Sequence, residues 1–151
     1  MILQRFIVYV RVLVRVRLSV ARAKGIASRQ LDGKHFLQWD IEHTTLQRAK
    51  EVLRRVQARH HLSHVYLVSD RSSSYCAWCF NRVTLSTLLV VLSELLEILD
   101  YSFLYYRFKR REATLQADKK KGRPERKLIG LLKGYETPIP SFIRKSSMAR
   151  A

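Results

Sequence analysis

The stretch His35-Phe36-Leu37-Gln38-Trp39-Asp40-Ile41-Glu42, with Thr44-Thr45-Leu46-Gln47 directly behind it, decides the fold. The first eight residues predict a strand closed by two acids. Trp39 and Ile41 share its core face, and Asp40 and Glu42 share the other. A helix follows. Thr44 with Gln47 three residues on forms a capping box. Leu46, Ala49, Leu53 and Val56 then hold one face at helical spacing, with Arg48, Arg54 and Arg55 elsewhere. His60 to Ser63 predicts a turn and Val65-Tyr66-Leu67-Val68 a buried strand. Ser69 to Ser74 is a polar turn, with Tyr75 to Phe80 as the hairpin partner.

Working outward, Val10, Val12, Val14, Val16, Leu18 and Val20 alternate with Arg11, Leu13, Arg15, Arg17 and Ser19. That period of two predicts a long strand with a basic face, punctuated by Gly25 and by Asp32-Gly33. On the other side, Thr84 caps a helix over Leu85 to Leu99 that is apolar nearly all round and therefore expected at the centre of the core. Asp100 ends it. Phe103 to Phe108, Ala113 to Ala117 and Lys127 to Leu132 predict three more strands, the last two joined by a basic loop from Asp118 to Pro124. Pro138 and Pro140 mark the end of the fold. The order predicts an α+β fold, a mixed or antiparallel sheet with helices packed on one side. The chain divides into a basic N-terminal strand or extension (1–32), a core (33–135) and a tail (136–151).

A chain of 151 residues, 47% of them apolar, is long enough to bury one core. Its 29 Lys and Arg against 12 acids give a net charge of +17, which implies a polyanionic partner, nucleic acid before an acidic membrane surface. The charge is segregated. Residues 1–31 carry +7, residues 32–100 are neutral, residues 101–133 carry +8 and the rest +2. Two cysteines, Cys76 and Cys79, are too few for a disulfide scaffold and predict a reducing, cytoplasmic setting. No apolar run approaches the roughly 20 residues of a membrane span, and no secretory leader is expected. An organellar presequence is the alternative for the Arg-rich start, though valine alternation is foreign to an amphipathic presequence helix.

Asp40 and Glu42, at i and i+2 on one strand face, repel unless a cation lies between them. Hard divalent ions are held this way for phosphoryl transfer, with few carboxylates and the remaining ligands from water and phosphate. Without an ion they are two solvated acids. Asp100 is either a helix-end residue or a third ligand. Arg107, Lys109, Arg110 and Arg111, with Lys119, Lys120, Lys121 and Arg123, form the densest cationic stretch and alternate with aromatics, a pattern suited to phosphates. Cys76-Ala-Trp-Cys79 with His60 and His64 resembles a zinc spacing. On a strand, however, positions i and i+3 face opposite ways. His60, His61 and His64 are most simply a polar helix end. Tyr105 with Lys109 has the Y-x-x-x-K spacing of rolling-circle nickases, but no His-hydrophobic-His pair accompanies it, and the aromatics there are more simply core or stacking residues.

The series Trp39-Asp40-Ile41-Glu42, then Ser69-Asp-Arg-Ser-Ser-Ser-Tyr-Cys-Ala-Trp78, then Leu99-Asp100, then Ala113 to Arg123 resembles the archaeo-eukaryotic primase superfamily over roughly residues 33–133. The resemblance implies a primase-like, RRM-like core and a primase/polymerase-like nucleotidyltransferase. Asp40, Glu42 and Asp100 would bind two Mg²⁺ or Mn²⁺ ions. Ser69, Arg71, Ser73, Ser74 and Cys76 would contact a nucleoside triphosphate. Lys119 and Lys121 would contact phosphates, and Arg107, Lys109, Arg111 and Arg123 join them as nucleic-acid phosphate candidates through the charge pattern alone. Cys76 stands where the family carries a histidine, and Gln116 stands near an expected basic residue. The alternative expectation is a non-enzymatic RNA- or DNA-binding protein, working within a larger replication or ribonucleoprotein assembly.

Overall fold

A computed structural model describes residues 16–18, 24–71, 74–116, 124 and 126–135. Its elements are β1 (Val16–Leu18), β2 (Lys24–Ala27), β3 (His35–Glu42), α1 (Leu46–Arg59), β4 (Val65–Arg71), β5 (Ser74–Val83), α2 (Leu85–Ser93), α3 (Tyr101–Arg110), β6 (Thr114–Gln116) and β7 (Lys127–Leu132). The α+β class holds. A four-stranded antiparallel sheet runs β3-β5-β4-β7, and a three-stranded antiparallel sheet runs β1-β2-β6. β3 and β4 both run against β5, so they are parallel to each other. The α1 crossover joins them, with β5 inserted between.

α1 buries Ala49, Val52, Leu53, Val56 and Gln57, a stripe at helical spacing. Its cap is Thr45, one residue later than the capping box predicts. The Thr45 hydroxyl accepts from Arg48 N–H at 3.2 Å. The Gln47 side chain bonds forward through Nε2 to Glu51 at 2.9 Å, and with Thr45 as the cap the N3 position is Arg48, which carries no acceptor to close a box. β3 from His35 to Trp39 and β5 from Tyr75 to Phe80 are buried without alternation. Both faces of the sheet's centre are therefore covered, whereas helices on one side would leave every second residue wet.

Two sequence expectations fail in the second half. The helix beginning at Leu85 stops at Ser93 instead of reaching Leu99. Beyond it the chain turns and pairs with the open edge of β3. Glu42 N–H donates to the Ile98 carbonyl at 3.2 Å, and Ile41 bridges Leu99. An unpaired strand edge demands backbone partners, and that demand outweighs two more turns of helix. Val90 and Leu96 remain exposed, so the apolar segment is not central all round. The second failure is α3, where aromatic residues predict a strand and a helix forms. Asp100 caps it, accepting from Phe103 N–H at 2.6 Å, and three basic residues occupy its last turn, favourably placed against the helix dipole.

The N-terminal side is stitched into the core. β2 pairs with β6, Ala27 is fully buried, and Ser28 N–H donates to the Ala113 carbonyl at 2.7 Å. The predicted boundary at 32–33 falls within a tight turn, where Gly33 takes φ +80° and Gln30 N–H reaches the Lys34 carbonyl at 2.8 Å. Asp32 pairs with Arg82 across it. Of the long strand predicted over residues 10–20, Val16–Leu18 is described as β1 and the remainder lies outside the described residues.

Candidate nucleic-acid interface

Helical geometry sorts the residues of α3 into two populations. Phe103, Leu104 and Arg107, at i, i+1 and i+4, are buried. Tyr101, Tyr105 and Phe108, at i, i+4 and i+7, form an exposed aromatic stripe with Tyr106 beside it. Tyr101 is 81% exposed and the other three are each 50% exposed. Cations lie against two of these rings. Lys109 Nζ is 5.6 Å from the Tyr105 centroid, and the Arg110 guanidinium carbon is 5.0 Å from that of Tyr106. The two tyrosine rings meet edge to face at 5.3 Å. Arg111 follows in the left-handed conformation and is exposed. α3 itself carries no acid. Stacking surfaces beside fixed cations suit unpaired bases joined by phosphates.

Arg107 does not belong to this face, contrary to the phosphate role expected of it. On a strand it would alternate with Phe108. On a helix it follows Phe103 into the interior and is 1% exposed. Its guanidinium carbon lies 5.8 Å from the Phe103 ring, and its three side-chain nitrogens have no hydrogen-bond partner among the described residues. Burial pushes its pKa down to about 10, with Glu112 opposing the shift, so it stays charged at neutral pH. Lys119, Lys121 and Arg123 lie outside the described residues.

The carboxylates and the nucleotide candidates partly converge. Asp40 faces Cys76 across β3 and β5, the thiol donating to Asp40 Oδ1 at 3.6 Å. Glu42 faces Ser74, whose hydroxyl donates to Glu42 Oε1 at 3.3 Å. Asp100 reaches the same strand end through its backbone, its N–H donating to the Asp40 carbonyl at 2.9 Å. Its carboxylate is committed to the α3 cap, so the three carboxylates do not point at one position. Among the described residues, no group of three or more His, Cys, Asp or Glu side chains is placed to hold a metal ion. Ser69 closes the β4–β5 hairpin by donating to the Ser74 carbonyl at 2.6 Å. Arg71 ends β4 opposite Ser74, and Ser73 lies outside the described residues.

The cysteines face opposite ways, as strand geometry requires. Cys76 turns to Asp40, while Cys79 contacts Asn81 at 2.9 Å and Ser63 at 3.4 Å, and burial pushes its thiol pKa up. The histidines also separate. His60 pairs with Glu94 at 2.8 Å, and His64 Nδ1 accepts from Gly134 N–H at 3.2 Å.

Sequence reasoning found Lys109 and Arg111 but not the tyrosines as a binding surface. The missed signal was Asp100 as a cap, three basic residues at the far end and a 3.6-residue spacing between them. No helix among the described residues is long and apolar enough to cross a membrane. Comparison with family models, with curated proteins and with solved structures finds no match to this chain.

Proposed function

We propose that this chain binds single-stranded nucleic acid, RNA or DNA, through the exposed face of α3. One observation carries the reading: Tyr101, Tyr105, Tyr106 and Phe108 stand in solvent with Lys109 and Arg110 against two of their rings. Unpaired bases stack on such rings, and the cations together with Arg111 reach the phosphates between them. A duplex hides its base faces and would use only the cations. An acidic membrane surface is the competing partner for a helical cationic face. The exposed rings are mostly tyrosine, and the apolar Phe103 and Leu104 face inward, which favours bases over lipid.

The test is the salt dependence of binding to twenty-residue oligo-uridine and oligo-thymidine. The Lys109→Gln, Arg110→Gln, Arg111→Gln triple variant should lower the slope of log K against log salt by about 2, from roughly 0.7 per phosphate contact. An unchanged slope, or tighter binding to phosphatidylserine vesicles than to either oligonucleotide, counts against the reading.

A second reading, a primase-like nucleotidyltransferase acting on nucleoside triphosphates, is favoured by the contacts of Cys76 with Asp40 and of Ser74 with Glu42. The donor set is two carboxylates rather than three, enough for one Mg²⁺ or Mn²⁺ completed by water and phosphate oxygens. Nucleoside triphosphate binding that needs Mn²⁺ and is lost in Asp40→Asn would support it. Binding indifferent to metal would remove it.

A further inference from the structure

The cations of α1 are divided between two flanks. Glu97 accepts from Arg48 at 2.7 Å and from Arg55 at 2.8 Å, and Glu94 pairs with Arg59 at 3.0 Å and with His60. Arg54 is left out of this network, and its side chain has no ion pair or hydrogen bond among the described residues. It lines an open cleft of about 610 Å³ between the end of α1 and the end of β7. His61, Lys133 and Tyr135 share the rim, with Leu62 and Leu131 as apolar lining. The side chains of His61 and Lys133 also have no polar partner among the described residues, and none of the described lining residues is acidic. The volume lies within the roughly 300–1,000 Å³ of small-molecule sites.

The cleft is built rather than incidental. Gln57, buried beneath it, donates through Nε2 to the carbonyls of Ser63 at 2.8 Å and Leu132 at 3.1 Å, fastening α1 to β7. Gly134 packs so closely that a Cβ there would stand 2.4 Å from the Leu62 carbonyl oxygen. The Tyr135 hydroxyl accepts from Asn81 Nδ2 at 2.8 Å, which fixes the ring, yet the residue is 53% exposed.

His61 adds an independent sign. It follows the C-cap His60 with φ +48°, and the N–H groups of His61 and Leu62 return to the carbonyls of Ala58 and Gln57 at 3.4 and 2.9 Å. That is the Schellman arrangement, whose left-handed position favours glycine. A histidine there forgoes local stability, and such departures concentrate at binding sites.

We infer that this cleft binds a nucleotide, its base stacked on Tyr135 and its phosphate held by Arg54, His61 and Lys133. The site lies at the β7 edge of the sheet, whereas α3 begins at the β3 edge, so this inference and the α3 reading stand or fail separately. A free nucleotide and the phosphorylated end of a strand share the required chemistry.

The test is calorimetric titration of the whole chain with 5′-AMP, adenosine and inorganic phosphate. AMP should bind about tenfold or more tighter than either fragment, because stacking and a charge-assisted phosphate contact each contribute. Arg54→Gln and Lys133→Gln should each weaken AMP binding about tenfold. Tyr135→Leu should reduce AMP to the level of phosphate. His61→Gly should raise the melting temperature while weakening AMP binding, an opposition that a purely structural histidine would not produce. All four side chains are exposed, and Val90→Ala on α2 serves as an unaffected control. Competition by a 5′-phosphorylated oligonucleotide would assign the site to a strand end, and its absence to a free nucleotide; both support the site. The inference is overturned if AMP does not bind, if AMP and phosphate bind equally, or if Arg54→Gln and Tyr135→Leu leave AMP binding unchanged.

Discussion

The N–H of Asp100 donates to the carbonyl of Asp40 at 2.9 Å, while the Asp100 carboxylate turns away to accept from Phe103 N–H at 2.6 Å. One residue thus seals the edge of β3 and starts α3. The backbone half of that arrangement survives substitution and the cap does not. Asp100→Ala should cost about 1 kcal/mol, the usual value of an N-cap, and Asp100→Asn should cost little because asparagine caps equally well. Urea melts of the two variants check this. Equal losses in both would show that the carboxylate's charge, not its capping geometry, is what the position needs.

The tyrosines of α3 should matter to binding and little to folding. Tyr105 and Tyr106 are half exposed and contact each other and the cations beyond them. Tyr105→Ala and Tyr106→Ala should each weaken oligo-uridine binding by about 1–3 kcal/mol, the range for one stacked base. Fluorescence anisotropy at fixed salt gives the number. Stability should move by less than about 0.5 kcal/mol, as for surface substitutions generally.

The contrast between α1 and α3 shows what the sequence makes legible. α1 has a clean apolar stripe from Ala49 to Val56, and β3 and β5 have apolar runs bounded by turns, so periodicity alone places them. α3 is built from tyrosine and phenylalanine, which prefer strands, and only the cap at Asp100 and the packing of Phe103 and Leu104 decide for a helix. The end of α2 depends on a distant fact, the open edge of β3, which no local pattern encodes. The same holds for the candidate sites. The Asp40–Glu42 pair is visible as spacing, whereas Asp100 reads equally as a ligand or a cap until α3 is known to be a helix. The cleft at Tyr135 draws Arg54, His61 and Lys133 from separate elements, so no window of sequence contains it.

Arg107 is a buried cation whose guanidinium nitrogens lack hydrogen-bond partners among the described residues. Keeping a charge there carries a desolvation cost that Glu112 offsets only in part. Arg107→Met, which preserves length and most of the volume, should therefore be neutral or stabilising by about 1–4 kcal/mol. It should also leave oligonucleotide binding unchanged, since the side chain does not reach the exposed face. A loss of stability above about 3 kcal/mol would instead reveal a paired charge, because breaking a buried pair has that effect.

His35 links this cation to pH. It is buried at the start of β3, and burial first, then Arg107 and Arg29, hold its pKa below the ordinary 6.5, with Glu112 and Asp32 opposing. The folded protein therefore keeps His35 neutral at pH values where the unfolded chain protonates it. Unfolding takes up a proton in that window, so stability rises with pH. The contribution is complete above about 6.5 and is lost as pH falls from there through the depressed folded value. Glu94, held below its ordinary value by His60 and Arg59, contributes a separate loss below about 4.3. Denaturant melts at pH 7.5 and 5.5 isolate the histidine. The native chain should be less stable at 5.5, His35→Gln should flatten the difference, and Arg107→Met should shrink it, because removing that cation eases protonation of His35. A difference that persists unchanged in His35→Gln would place the titrating group elsewhere.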